Sequence, residues 1–365
     1  MELNVIILVM TIFFGFLMAW GVGANDVANA MGTSVGSRSL TIRQAIIIAT
    51  FFEFIGAFFA GGEVTDTIRK GIVDATQLTS QPEVFIIGMM ASLLAAGLWL
   101  LIATLFGWPV STSHTIVGAV AGFGALTVGF DAIHWHTLGR IAISWVVSPL
   151  MGLAMAFLIF FSIQYFIFNH ASPLERAKRV IPFYLFFVSW IVLALVALSG
   201  LKYFGIILPF WANIGLSVAA SIVVTLIATW FLNRIKVDTS ATRSHHFANV
   251  EKLFGLLMLF TACAMAFAHG SNDVANAVGP LAAIFDVVNT GTLQQESPIP
   301  VWILLLGASG IVLGLMTYGH KVIATVGSGI TELTPTKGFA ATLSAATTVV
   351  LASGSGLPIS TTHTL

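Results

Sequence analysis

Two short strings occur twice in this chain, in the same order. Gly23-Ala24-Asn25-Asp26-Val27-Ala28-Asn29-Ala30 returns as Gly270-Ser271-Asn272-Asp273-Val274-Ala275-Asn276-Ala277, with seven of eight residues identical. Gly107-Trp108-Pro109-Val110-Ser111-Thr112-Ser113-His114 returns as Gly356-Leu357-Pro358-Ile359-Ser360-Thr361-Thr362-His363, at nearly the same distance along the chain. Ordered recurrence of two motifs is the mark of duplication. The fold must therefore be built from two copies of one unit.

Composition says where those copies live. Of 365 residues, 57% are apolar or aromatic and 8% are charged, against about 25% charged in a soluble domain. The chain belongs in a bilayer. Ten stretches approach the roughly 20 apolar residues that a spanning helix needs: 5–30, 44–61, 84–106, 115–130, 141–168, 182–199, 206–231, 253–277, 301–318 and 339–353. The first lacks a positively charged start and a small-residue cleavage site, so it reads as a membrane helix rather than a signal peptide. Fifteen Lys and Arg balance fifteen Asp and Glu, leaving no basic field to attract nucleic acid. The single cysteine, Cys263, excludes a disulfide framework, a cysteine zinc site and a CxxC pair. No GxGxxG, GxxxxGKS or HExxH string occurs, so no nucleotide site, no cofactor and no enzyme are expected.

With Met1 outside, eleven of the fifteen basic residues fall in cytoplasmic loops, and Arg69, Lys70, Arg140 and Lys202 face out. On that count the first copy starts on span one and the second on span eight, so the copies cross in opposite directions. The fold class that follows is an all-α polytopic membrane protein with two inverted-topology repeats, broken helices and re-entrant hairpins. Residues 1–168 form the first repeat, 169–249 the connecting spans and a cytoplasmic link, and 250–365 the second repeat. The first copy continues for two spans past His114, whereas the second stops at Leu365. The chain therefore reads as a fragment, short by roughly 50 residues on the analogy of its first half.

Asp26, Asp273 and Glu53 are the charged side chains placed well inside the spans, and all Lys and Arg fall in loops or at span ends. An intramembrane carboxylate points to function, because it needs a bound cation, a proton or a partner. Asn25, Asn29, Asn272 and Asn276 add hard oxygen ligands beside the two aspartates, a set suited to a hard cation. A cap on a broken helix is the plainer use of each Asn-Asp pair. Pro109 and Pro358 suit helix starts, where Ser111, Thr112, Ser113, Ser360, Thr361 and Thr362 place hydroxyls beside unpaired N–H groups, an arrangement that attracts anions. Singly, each hydroxyl serves equally as interhelical glue. Carboxylates without buried Lys or Arg cannot hold a multivalent anion alone, so cation-coupled anion symport is expected. His114, His363 and His269 carry less; His269 aligns with Val22, and Glu53 aligns near Ala308.

The GANDVANA and GSNDVANA strings and the paired GxPxS[TS][TS]H strings resemble those of the inorganic phosphate transporter (PiT) family, and the resemblance covers both halves. It implies a secondary symporter that imports inorganic phosphate with Na+ or H+ by alternating access. Phosphate would be held by Asp26, Ser111, Thr112, Ser113, Asp273, Ser360, Thr361 and Thr362. Na+ would be held by Asn25, Asp26, Asn29, Glu53, Asn272, Asp273 and Asn276. Glu53 in the second span resembles sodium-driven members, while Thr342 stands where such members often have a second acid. Na+ is the favoured coupling ion. The short link resembles compact prokaryotic members, which implies a multi-pass protein of a prokaryotic cell membrane. Sulfate suits the same hydroxyl-lined helix starts, and an ion channel is the alternative from another class. Small residues along 118–124 pack helices within one subunit or in a homodimer.

Overall fold

The computed structural model describes residues 2–201, 206, 208–234, 243–293, 298–329 and 333–365. Among them the chain is helical, with one isolated bridge between Val73 and Ile133 and no strand. The first half runs α1 (Glu2–Asn25), α2 (Val27–Gly36), α3 (Ile42–Ala60), α4 (Gly62–Lys70), α5 (Pro82–Phe106), α6 (Thr112–Thr127) and α7 (Trp135–Ile163). Then come α8 (Pro173–Leu195) and α9 (Phe210–Asn233). The second half runs α10 (Arg243–Asp273), α11 (Ala275–Thr290), α12 (Val301–Gly314), α13 (His320–Gly329), α14 (Pro335–Gly354) and α15 (Thr361–Thr364). Lys236, in the predicted cytoplasmic link, lies outside the described residues.

Eight helical runs among the described residues are long and apolar enough to cross a membrane, where ten spans were expected. The two that fall out are the stretches 115–130 and 339–353, which form α6 and α14. Sixteen residues give α6 a rise of about 24 Å, short of the roughly 30 Å hydrocarbon layer. Six hydroxyl side chains make α14 the more polar helix, and most of it is buried in protein. Both are legs of hairpins. The ends of the α5–α6 hairpin meet: Asp74 N donates to Ala132 O at 2.7 Å and His134 N to Ile72 O at 3.0 Å. Its chain therefore returns to the side it left.

Local sequence sets where each leg starts and stops. Pro82 and Pro335 occupy first turns, where a missing N–H costs nothing. The first legs end at Gly107 (φ 70°) and just before Gly356 (φ 66°), a backbone that glycine adopts without a Cβ penalty. Ser111 and Ser360 then cap the returning helices, each accepting a hydrogen bond from the backbone N–H of His114 or His363 at 3.2 Å.

The two halves pack through glycine. A Cβ on Gly23 would lie 1.8 Å from Ile311 O, and one on Gly270 would lie 2.4 Å from Glu53 O. Likewise Gly314 meets Trp20 O and Gly56 meets Phe267 O. The backbones of α1 and α12, and of α3 and α10, thus touch by the same contact made twice, the small-residue packing expected where lipid removes a hydrophobic drive between helices. The correspondence makes Ile311, a near neighbour of Ala308, the counterpart of Glu53. α3 runs parallel to α10, with Ser39 near Gly255, Glu53 near Gly270 and Gly61 near Val274. α2 runs antiparallel to α10, since Asp26 lies beside Asp273 while Ser37 sits with Met258 around Gly338.

Candidate functional site

The long helix of each copy breaks at its Asn-Asp motif. α1 stops at Asn25 and the chain resumes as α2 at Val27, and α10 stops at Asp273 and resumes as α11 at Ala275. Beside each break lies the tip of that copy's own hairpin, tied down by the asparagine. Asn25 Nδ2 donates to Thr104 Oγ1 (3.2 Å) and Trp108 O (2.8 Å), and its Oδ1 accepts from Val110 N (3.1 Å). Asn272 repeats this with Ser353 Oγ (3.1 Å), Leu357 O (3.2 Å) and Ile359 N (3.4 Å). An amide offers both donor and acceptor, which is what a turn with a free carbonyl and a free N–H requires.

Those tips carry the hydroxyls into a shared buried centre. Asp26 Oδ2 accepts from Thr112 Oγ1 at 2.6 Å, and its Oδ1 accepts from Thr362 Oγ1 at 2.8 Å and from the Asn29 amide. Thr361 Oγ1 donates to Asp273 Oδ2 at 3.1 Å and lies 3.4 Å from Asp26 Oδ1. Asn29 and Asn276 reach across to the opposite hairpin, Asn29 to Thr362 Oγ1 (2.8 Å) and Asn276 to Thr112 and Ser113 (3.0 and 3.2 Å). Of the predicted residues, Asp26, Asn29, Asp273, Asn276, Thr112, Ser113, Thr361 and Thr362 are brought together. Asn25, Asn272, Ser111 and Ser360 stand one layer out, as hairpin ties and helix caps.

Glu53 joins the centre through a residue that weighed little in the sequence. His269 Nδ1 lies 2.8 Å from Glu53 Oε2, and its Nε2 lies 2.9 Å from Asp273 Oδ2, the latter off the axis of a hydrogen bond. All three side chains are fully buried. Glu53 therefore has a basic partner at its own depth, a histidine where no Lys or Arg is placed. The readable signal was the four-residue spacing of His269 and Asp273, which share a helix face. Asp26, His269 and Asp273 offer ligand atoms within 4.8 Å of one another. Three buried oxygens of this centre take no hydrogen bond: Glu53 Oε1, Asp273 Oδ1 and Asn276 Oδ1. Three carboxylates face one imidazole, and unpaired hard oxygens among them suit a cation. The histidines after the caps pack on each other, His114 against His363 with ring centroids 4.9 Å apart.

Arg69 also departs from its expected place in an outer loop. It lies on α4, 4% exposed, and pairs with Asp286 of α11. After Gly61 the chain resumes as α4 instead of leaving the bundle, which turns Arg69 inward.

A multi-pass membrane protein with a polar centre sealed between two broken helices and two hairpin tips is built to hold a small ionic ligand. A family model described as the phosphate transporter family matches residues 22–365. The "Putative phosphate permease" of Haemophilus influenzae is 49% identical over 97% of this chain and 84% of its own. Inorganic phosphate transporter 2-1, chloroplastic, of Arabidopsis thaliana is 42% identical over 97% of this chain and 64% of its own. A solved structure titled the sodium-dependent phosphate transporter superposes with a TM-score of 0.91 at 41% identity, covering 98% of this chain and 87% of that one. The chain belongs to the phosphate transporter family, whose members named here are permeases and transporters, not enzymes.

Proposed function

We propose that this chain is a symporter that imports inorganic phosphate with Na+ by alternating access, in the cell membrane of a prokaryote. The observation that carries the reading is the meeting of both Asn-Asp breaks with both hairpin tips around Asp26 and Asp273. When phosphate enters, Thr112, Thr361 and Thr362 turn their O–H groups from Asp26 and Asp273 to its oxygens, Ser113 donates beside them, and free N–H groups at the start of α6 help. A proton on phosphate donates to Asp26 or Asp273, which sulfate cannot do at neutral pH. Na+ is cargo held by Asp26, Asp273, Asn29, Asn276 and Glu53, whose carboxylates would otherwise repel the anion. Asn25, Asn272, Ser111 and Ser360 hold the tips in place. Inverted repeats over 1–168 and 250–365, joined through 169–249, are supported by α2, which continues the run of α1, lying antiparallel to α10. The 41% identical solved relative named as sodium-dependent supports the choice of ion.

One observation favours a proton instead: a titratable imidazole, His269, is hydrogen-bonded to Glu53 and lies 2.9 Å from Asp273, all three fully buried. Uptake of radiolabelled phosphate into proteoliposomes separates the two. Under an inward Na+ gradient, uptake should rise and survive excess unlabelled sulfate. Uptake that follows only an H+ gradient would turn the acids into proton carriers, and sulfate uptake in place of phosphate would overturn the substrate.

A further inference from the structure

Where α2 turns into α3, a cavity of about 620 Å³ opens between α3 and α10. Its lining mixes two kinds of side chain. Ile48, Leu256 and Leu259 supply apolar surface, and Leu256 is 51% exposed, so this surface continues onto the outside of the bundle. Arg38 and Lys252 also line the cavity, both exposed, and among the described residues neither pairs with a carboxylate. Glu251, also in the cavity, already accepts from Thr336 N at 3.0 Å and Thr336 Oγ1 at 2.8 Å. Its charge is directed at the start of α14, where it complements the helix dipole.

Arg38 is held in an unusual backbone. With φ 58° it is the one non-glycine residue among the described residues in the left-handed region. It follows the end of α2, where Ser39 N and Leu40 N both return to Ser34 O, a turn that ordinarily takes glycine. Arginine there costs backbone energy that glycine would not. Strain of this kind is retained where the side chain has work to do.

Cations beside an apolar wall that is open to the membrane match a lipid with an anionic phosphate headgroup. A free phosphate ion would use the cations and gain nothing from the leucines. We propose that this cavity binds an anionic phospholipid, its headgroup between Arg38 and Lys252 and an acyl chain along Ile48, Leu256 and Leu259. The positive-inside count assigns the site to the cytoplasmic leaflet. Its place matters because this corner joins α2, which follows directly on Asp26, to α3, which carries Glu53.

The test is phosphatidylglycerol binding to detergent-purified protein, followed by native mass spectrometry beside phosphatidylcholine, with inorganic phosphate and glycerol phosphate as soluble competitors. The unaltered protein should retain phosphatidylglycerol preferentially. The double variant Arg38→Gln, Lys252→Gln should lose about 30-fold in affinity, at roughly 1 kcal/mol for each basic side chain, while Arg38→Lys should keep most of it. Leu256→Gln should weaken both lipids. A melting curve matching the parent's shows the double variant folded. Equal retention of the two lipids, an unchanged affinity in the double variant, or displacement by inorganic phosphate as readily as by phosphatidylglycerol overturns the proposal.

Discussion

Asp26 and Asp273 hold the same place in the two copies, and their neighbours differ. Asp26 is wrapped in neutral donors, namely Asn29, Thr112 and Thr362. Asp273 receives Thr361 and, on its other flank, His269 with Glu53 behind it. At the corresponding places beside Asp26 stand Val22 and, contributed by the second copy, Ile311, whose backbone carbonyl meets Gly23 as that of Glu53 meets Gly270. The scaffold is duplicated; the electrostatics are not. Glycine contacts and asparagine ties depend on backbone geometry, which duplication copies, whereas charge rests on single side chains that each copy can change alone.

Replacing either aspartate should have the largest effect. Asp26→Asn and Asp273→Asn should each lower phosphate uptake on the order of 100-fold, the scale of about 3 kcal/mol expected when one partner of a buried charged set is removed. Initial rates in proteoliposomes measure this, and a variant that keeps its rate would show that only one copy serves transport.

The asymmetric pair should come next. Glu53→Gln or His269→Asn should raise the Na+ concentration for half-maximal uptake about tenfold, the worth of one hydrogen bond to a charged group. Val22→Ile and Ile311→Val should leave that concentration alone. A proton-coupled protein would respond with a shifted pH profile and an unchanged sodium curve.

Hairpin ties should show the symmetry as a smaller loss. Asn25→Ala and Asn272→Ala each strip three hydrogen bonds from a hairpin tip and should cost about 1–3 kcal/mol each, read as a fall in melting temperature in detergent. Unequal losses would mean that the hairpins differ in rigidity.

The smallest effect lies where the first hairpin begins. Asp74 caps the turn Ala75–Leu78, and the Thr76 hydroxyl donating to it at 2.6 Å holds its carboxyl below the usual range. A carboxyl lowered on folding stabilises at pH values above its unfolded pKa and stops doing so as pH falls through its folded one. Asp74→Ala should therefore lower the melting temperature slightly at neutral pH, and the difference should vanish in acid. A difference that persists there would assign the cap's worth to packing. The second hairpin, capped by Thr334, should show no such pH dependence.

Much of this was legible in the chain. Low charge and long apolar stretches required a bilayer, and the repeated strings marked the breaks and tips because Asn, Asp, Pro and Gly act within a few residues of themselves. Span ends were less legible. α6 and α14 look apolar enough in a window, yet one is too short to cross and the other is buried in protein, which no window of sequence registers.

The sequence by itself determined membrane residence, the duplication, and the carboxylates and hydroxyls that the centre would use. Tertiary structure alone decided that Thr112 meets Asp26, that His269 reaches Glu53 across 216 residues, that Arg69 turns inward to Asp286, and that Asn25 and Asn272 serve as ties. Local propensities follow from neighbours along the chain. Which buried charge finds which partner depends on helices brought within hydrogen-bond reach by packing, and that distance is not written in any one segment.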